Sequence, residues 1–176
     1  MKIRLLLSCI VICLASSALA NTEKEARSFI KDIESLMNLR DETELSRFYK
    51  FYSDKTARFV KQSSLINSDN PETVVDREDL DMNVDEYITY LNNIIMYPAK
   101  YAYFSKITSI QINTKDKTAL VSVEAKDSSI VYREVENGIS RPIYTLSTSN
   151  CNYSLNYKSA HYYISGMNCI ETINRQ

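Results

Sequence analysis

The first 20 residues have the pattern of a secretory signal peptide. Lys2 and Arg4 supply a positive start, residues 5–19 form an apolar run, and residues 18–20 (Ala-Leu-Ala) make a small-x-small cleavage site. The chain is therefore expected to mature at Asn21 and to fold in an oxidising compartment, periplasmic or secreted, where disulfides form and persist.

Two alternatives for this segment are an uncleaved membrane anchor and a lipoprotein signal. The apolar run is 15 residues long and contains serines, whereas a membrane span needs about 20 mostly apolar residues. Leu6-Leu7-Ser8-Cys9 resembles a lipoprotein box, but cleavage before Cys9 would leave too short an apolar core. A cleaved signal is favoured, with no stable membrane insertion afterwards.

Charge and composition exclude several classes of function. Loss of Lys2 and Arg4 with the signal changes the net charge from −1 to −3, and no Lys/Arg-rich block indicates nucleic-acid binding. The sequence has only two glycines, which argues against a glycine-rich phosphate loop. The remaining residues, 21–176, are long enough for a single domain with a substantial core.

Two cysteines, Cys151 and Cys169, remain after cleavage and are expected to form a structural disulfide. Residues 150–157 and 162–173 have the composition of strands, and antiparallel pairing with the cysteines opposed places most apolar side chains on one face. Buried free thiols are the alternative, and the spacing is not that of a redox pair. The register would also pair Tyr153 with Met167, Leu155 with Ser165, and Tyr157 with Tyr163.

Apolar residues at helical spacing predict three amphipathic helices. The first covers residues 23–39, and the second starts at Asp41, where Glu44 completes a capping-box-like pattern. The third helix covers residues 84–97. A short strand is expected at residues 57–66, and the polar, acidic stretch 67–83 is expected to be a loop.

From Tyr101 onward the apolar pattern has the period of two that is typical of strands. A turn is expected at residues 113–117, and Glu136-Asn137-Gly138 is a hairpin signal. The order is helix, helix, strand, helix, and then four or five strands. This order predicts an α+β fold in which N-terminal helices pack on one face of a curved antiparallel sheet.

That order, together with residues 48–60 (Phe-Tyr-Lys-Phe-Tyr-Ser-Asp-Lys-Thr-Ala-Arg-Phe-Val), resembles the nuclear transport factor 2-like (cystatin-like cone) superfamily. Its members commonly end the second helix with an aromatic-Tyr-x-Asp turn and enter a strand through Ala-x-Phe. The resemblance covers residues 23–174 and implies a cone-shaped domain with a cleft between helices and sheet. It implies little about activity, because the fold serves isomerases, cyclases, dehydratases, binding modules and secretion-machine subunits.

Candidate catalytic groups are few. Asp54 is the best candidate for a general base, because a carboxylate in an apolar cleft can act as one, although an aspartate at this position also serves simply as a turn former. His161 is the only histidine and falls in the expected hairpin turn, without a reacting partner. With one histidine and no free cysteine, neither zinc nor another cofactor is expected.

The acidic run before the third helix copies part of a calcium loop. Asp79, Asp81, Asn83 and Asp85 alternate as oxygen ligands would, but Val84 replaces the required glycine and Tyr90 the required glutamate. We interpret Asn83 or Asp85 as a helix cap and the acids as solvated, and expect no metal site.

Thirteen tyrosines are the largest surplus in the sequence, and packing in the sheet accounts for many of them. A binding cleft is expected to include aromatic side chains from the helices and sheet, with Asp54 near its rim; these side chains are Phe48, Tyr52, Tyr90, Tyr101 and Tyr103.

The absence of a complete catalytic constellation favours an exported, non-catalytic binding or assembly module for a protein partner or a small apolar ligand. One alternative is a small isomerase- or cyclase-type enzyme that uses a cleft carboxylate, such as Asp54, and a tyrosine hydroxyl. Another is a homodimeric subunit of a secretion-type assembly, joined through the open sheet face.

Overall fold

The computed structural model describes residues 22–66, 73–135 and 139–175, so the signal segment, Asn21 and the hairpin signal at 136–138 lie outside the described residues. The described residues form three helices, α1 (22–39), α2 (Glu42–Tyr52) and α3 (Val84–Met96). The same residues form six strands: β1 (Ser53–Ile66), β2 (Val74–Met82), β3 (Lys100–Asn113), β4 (Thr118–Val135), β5 (Ile139–Lys158) and β6 (His161–Arg175).

The helix starts follow from side-chain caps. The Asp41 carboxylate accepts hydrogen bonds from the amides of Thr43 and Glu44 at 2.9 and 3.0 Å. The Glu44 side chain forms an ion pair with Arg47 at 2.9 Å on the helix surface. It therefore does not complete the capping box that the sequence predicts. At α3 a full capping box forms between Asn83 and Glu86, which confirms Asn83 as the cap.

The sheet is mixed rather than wholly antiparallel. Its strand order is β2-β1-β6-β5-β4-β3, and β1 runs parallel to β6 while the other neighbours are antiparallel. Among the described residues, the first strand and the last strand in sequence thus lie side by side within the sheet, a placement that the local pattern of β1 does not encode.

The expectation of a loop through residues 67–83 is wrong for its second half. Val74–Met82 forms the edge strand β2, which pairs with β1 from Phe59 opposite Met82 to Ile66 opposite Val74. Its side chains are exposed on both faces up to Asp79, so no apolar alternation marks it, and charges on an edge strand discourage pairing with other chains.

The β5–β6 hairpin contains the disulfide expected from the sequence, between Cys151 and Cys169 on directly paired positions. Tyr153 lies opposite Met167, as the register predicts. Beyond that pair a β-bulge shifts the register, so Leu155 pairs with Ile164 instead of Ser165 and Tyr157 with Tyr162 instead of Tyr163. The shift arises because the turn is shorter than expected: Ser159 and Ala160 alone form it, both with positive φ.

The core lies between the three helices and one face of the sheet. Tyr87 of α3 stacks on Phe59 of β1 with ring centroids 4.1 Å apart, and Tyr49 of α2 meets the same ring edge-on at 6.0 Å. We call this the inner face and the opposite one the outer face. In the described part of the chain, no helix is long and apolar enough to cross a bilayer.

Candidate functional site: a buried polar cluster and an exposed outer sheet face

A charged pair is buried between helix α3 and the inner face of the sheet. The Lys61 ammonium on β1 lies 2.9 Å from the Glu171 carboxylate on β6, and the two side chains are only 10% and 7% exposed. Lys61 also donates to the Tyr90 hydroxyl on α3 at 2.5 Å and lies 4.9 Å from the centre of that ring. The pair, together with Tyr90, therefore links the parallel strands β1 and β6 to helix α3.

The pair extends into a hydrogen-bonded cluster across four strands. Ser63 of β1 donates to Glu171 Oε2 at 2.8 Å, and the Ser147 hydroxyl of β5 lies 2.7 Å from Glu171 Oε1. The same Ser147 hydroxyl lies 2.6 Å from Asp127 Oδ2 on β4, which is directly paired with it in the sheet. We call Lys61, Ser63, Asp127, Ser147 and Glu171 the polar cluster.

Burial and charge act on the pKa values of this cluster in different directions. Burial raises the pKa of the Asp127 carboxyl and neighbouring Glu171 adds to the rise, while the Ser147 hydroxyl and Lys61 oppose it. Burial acts to lower the pKa of Lys61, but Tyr90 and Glu171 outweigh it and the net shift is upward. Lys61 therefore stays charged, and Asp127 is the acid that resists ionisation.

Tyrosines surround the polar cluster. Tyr101 and Tyr103 of β3 and Tyr153 of β5 line the same cleft as Tyr90. Burial raises the pKa of Tyr153 to about 12 and that of Tyr103 well above its ordinary value. Asn38 of α1 holds Tyr103 in place by bonding its main-chain amide and carbonyl at 2.8 and 2.7 Å. The hydroxyls are therefore neutral, positioned hydrogen-bonding groups.

The cleft between helices and sheet is almost completely filled. Its cavity volume is about 40 Å³, which leaves room for a few water molecules and none for an organic ligand. Side chains from α1, α2 and α3 close it, including Met37, Tyr49 and Leu91. A substrate could enter only after these side chains had moved.

The structure divides the residues that were expected to share one cleft. Tyr90, Tyr101 and Tyr103 line the filled cleft, whereas Phe48 and Tyr52 line a separate depression of about 200 Å³. There the Tyr52 ring packs against Phe48 at 4.9 Å and against His161 at 6.3 Å between centroids. The exposed His161 is the first residue of β6, beside the turn in which it was expected.

Asp54 lines neither the filled cleft nor the depression beside Phe48 and Tyr52. Its carboxylate accepts from Asn156 Nδ2 and from the Lys158 ammonium, each at 2.7 Å. These bonds join the start of β1 to the end of β5. The placement explains Asp54 as a structural link and lends no support to a role as general base.

The acidic run at residues 79–85 has structural partners. Asp81 binds Arg58 at 2.9 Å, which lowers the Asp81 pKa through that hydrogen bond, and Asn83 is used as the α3 cap. Within the described residues, no group of three or more His, Cys, Asp or Glu side chains could hold a metal ion.

The outer face of the sheet carries large exposed apolar side chains. Strand alternation and the pairing register place the following residues on this face: Phe104, Leu120, Tyr132, Tyr144, Leu146 and Ile170. Tyr144 and Leu146 are 52% and 54% exposed and border a depression of about 640 Å³. Ser128 of β4 and Ala102 of the edge strand β3 lie in the same row of the sheet as Leu146 and also line the depression. Tyr101, Ser129 and Thr145, which form a row on the inner side, line it as well, so the depression is not confined to the outer face.

Comparison with known proteins defines the fold. At 13% identity the chain is similar to an NTF-2-like protein of unknown function from Silicibacter pomeroyi DSS-3, with a TM-score of 0.53 over 90% of this chain and 98% of that one. The fold is nuclear transport factor 2-like. Its helices on a six-stranded sheet match that α+β cone, as the segment at residues 48–60 and the element order suggested.

Other similar structures include enzymes. A scytalone dehydratase-like protein from Novosphingobium aromaticivorans DSM 12444 is 10% identical, with a TM-score of 0.57 over 92% of this chain and 88% of that one. A hexachlorocyclohexane dehydrochlorinase is 8% identical, with a TM-score of 0.54 over 85% and 84%. No protein-family profile and no curated protein matches the sequence. These similarities define the fold and no activity.

The polar cluster was missed at the level of sequence, although a signal for it exists. Lys61 follows Ala57 and Phe59 at strand spacing, so it lies in phase with the buried face of β1. Asp127 likewise follows Val123 and Ala125, and Glu171 follows Cys169. Charged residues in phase with the apolar side of their strands indicate a buried polar network.

Proposed function

We propose that the protein is an exported, non-catalytic binding module that contacts a protein partner through the outer face of its sheet. One contrast carries the proposal: the inner cleft has about 40 Å³ of free space, whereas the outer face carries large exposed apolar side chains. Two of them, Tyr144 and Leu146, border a depression of about 640 Å³ beside the start of β3. Binding by a protein of this shape needs an accessible surface, and the outer face supplies it.

The composition of the outer face favours a protein over a small ligand. Its apolar side chains are spread over β3 to β6, so a single small molecule would cover few of them. Polar residues lie among them: Phe104 shares its row of the sheet with Lys126, Thr148 and Thr172. Mixed apolar and polar surface of this kind is typical of non-obligate protein interfaces.

Two observations support an extracytoplasmic location, periplasmic or secreted. The N-terminal segment has the pattern of a cleaved signal, and Cys151 and Cys169 form a disulfide. Disulfides are rare in reducing compartments and common in exported proteins.

The test is native mass spectrometry of the protein purified from its own host, combined with two matched variants. Leu146→Asp places a charge on the outer face, and Leu39→Asp places the same charge on an exposed leucine of α1 that is 61% exposed. We expect a stoichiometric protein partner that is lost with Leu146→Asp and retained with Leu39→Asp. Equal retention by both variants would refute the outer face as the binding surface.

The same measurement distinguishes a protein partner from a small ligand or a second copy of the chain on the outer face. A co-purified small apolar molecule, displaced by Leu146→Asp, would replace the protein partner with a ligand. A dimer of the purified chain that becomes monomeric in Leu146→Asp would favour the homodimeric assembly subunit, and light scattering would measure it.

An isomerase- or cyclase-type enzyme is the second candidate, and Asp127 is the observation that favours it. A carboxyl with a raised pKa, beside Tyr101 and Tyr103, is the kind of group that general acid–base catalysis uses. Such an enzyme must admit substrate to the filled cleft. Phenol at millimolar concentration should then shift the NMR signals of the Tyr101 and Tyr103 rings; unchanged signals would leave the binding module as the better account.

A further inference from the structure

We infer that Asp127 and Glu171 share a single proton through the Ser147 hydroxyl, so that the base of the cleft is a proton-binding site. The Ser147 hydroxyl has too few hydrogens for the two contacts that it makes. Ser147 Oγ lies 2.6 Å from Asp127 Oδ2 and 2.7 Å from Glu171 Oε1, and both distances are those of hydrogen bonds. A serine hydroxyl has one hydrogen and can donate to only one of the two carboxyls.

The second contact therefore needs a proton on a carboxyl group. Without it, the Ser147 oxygen and a carboxylate oxygen would face each other with no hydrogen between them, inside a buried site. With one proton added, the chain of bonds is complete: one carboxyl donates to Ser147, and Ser147 donates to the other.

The surroundings assign the proton to Asp127. Glu171 Oε2 already accepts from the Lys61 ammonium at 2.9 Å and from the Ser63 hydroxyl at 2.8 Å, so Glu171 has a cation and a second donor as partners. Asp127 has no cation of its own at hydrogen-bond distance among the described residues. It therefore carries the proton and donates it to Ser147, which donates to Glu171.

The groups that act on the Asp127 carboxyl come from several elements. Glu171 on β6 favours the protonated form, and Lys61 on β1 opposes it. Tyr101 and Tyr103 on β3 interact electrostatically with Asp127, but their own pKa values are raised by burial, so they stay neutral. The cluster is thus neutral while Asp127 holds its proton and carries one negative charge after release.

The direction of the pH effect follows from this assignment. Because burial raises the pKa of Asp127 in the folded chain, the folded state keeps a proton that the unfolded state loses above the ordinary value of 3.8. The contribution of the proton to stability is fully present below that value. It is lost as pH rises through the pKa of the folded state.

Two measurements test the inference. The Asp127 carboxyl carbon, followed by NMR in the native protein, should titrate at higher pH than in the urea-unfolded chain. Asp127→Asn mimics the protonated acid and has no proton to release. Calorimetric unfolding at mildly acidic pH, in buffers of different ionisation enthalpy, measures the protons released on unfolding. The wild type should release up to one more proton per chain than Asp127→Asn.

Asp79→Asn is the matched control, because Asp79 is exposed on β2; its proton release should equal that of the wild type. If the Asp127 carbon titrates in the same range as in the unfolded chain, the two carboxyls do not share a proton and the inference is wrong. The NMR measurement needs no variant, so it decides the matter even if Asp127→Asn fails to fold.

Discussion

Replacement of Lys61 by methionine should destabilise the protein by about 3 kcal/mol. Methionine fills most of the space of the lysine stem, but it leaves the Glu171 charge buried at 7% exposure without its cation. Removal of one partner from a buried ion pair costs about 3–5 kcal/mol. We expect the lower end of this range, because Ser63 and Ser147 still donate to Glu171.

Lys50→Met provides a matched control with the same substitution. Lys50 lies 3.6 Å from Asp85, with side chains 64% and 81% exposed, and such surface pairs contribute about 0–1 kcal/mol. Urea denaturation of the oxidised protein would compare the two variants at constant m-value. In thermal unfolding, Lys61→Met should lower the midpoint by about 6–12 °C.

A double variant tests the cause of the loss. In Lys61→Met/Glu171→Gln no uncompensated charge remains, so part of the lost stability should return. If Lys61→Met is no more destabilising than Lys50→Met, the loss does not come from a buried charge. The same conclusion follows if the loss in the double variant equals the sum of the losses in Lys61→Met and Glu171→Gln.

Four further predictions follow from the chain. Cys151→Ser should lower the free energy of unfolding by about 2–4 kcal/mol, because the bond with Cys169 closes a loop with a sequence separation of 18; full thiol labelling of the native, unreduced protein would contradict this. Intact mass of the exported form should show Asn21 as the first residue, and retention of the signal on membranes would favour an anchor. Millimolar calcium should leave the melting temperature unchanged, whereas a rise of several degrees would restore residues 79–85 as a calcium loop. Asp54→Ala should cost about 1 kcal/mol in urea denaturation, through the lost bonds to its two partners, without changing partner binding.

The helices were largely predictable because they depend on interactions between residues close in sequence. The amphipathic period of α1, the Asp41 cap and the Asn83 cap each depend on residues within one or two turns, so their signals survive in the linear sequence. The Cys151–Cys169 register was also predictable, because a hairpin pairs residues that are close in the chain. The two-residue turn at Ser159–Ala160 was not predictable, because it lacks the glycine or asparagine that usually marks such a turn. The bulge that accompanies this short turn was therefore not predictable either.

Contacts between distant parts of the chain had no local signal. β2 has no apolar alternation and is a strand because β1 offers it a free edge to pair with. Likewise, Ser63 of β1 and Glu171 of β6 are 108 residues apart in sequence, yet the pairing of the two strands brings their side chains to 2.8 Å. The phase of a strand indicates which side chains are buried, but only the tertiary pairing decides which buried charge meets which partner. The proton-binding cluster and the filled cleft therefore belong to the tertiary structure, because each depends on side chains from strands and helices that the sequence does not place together.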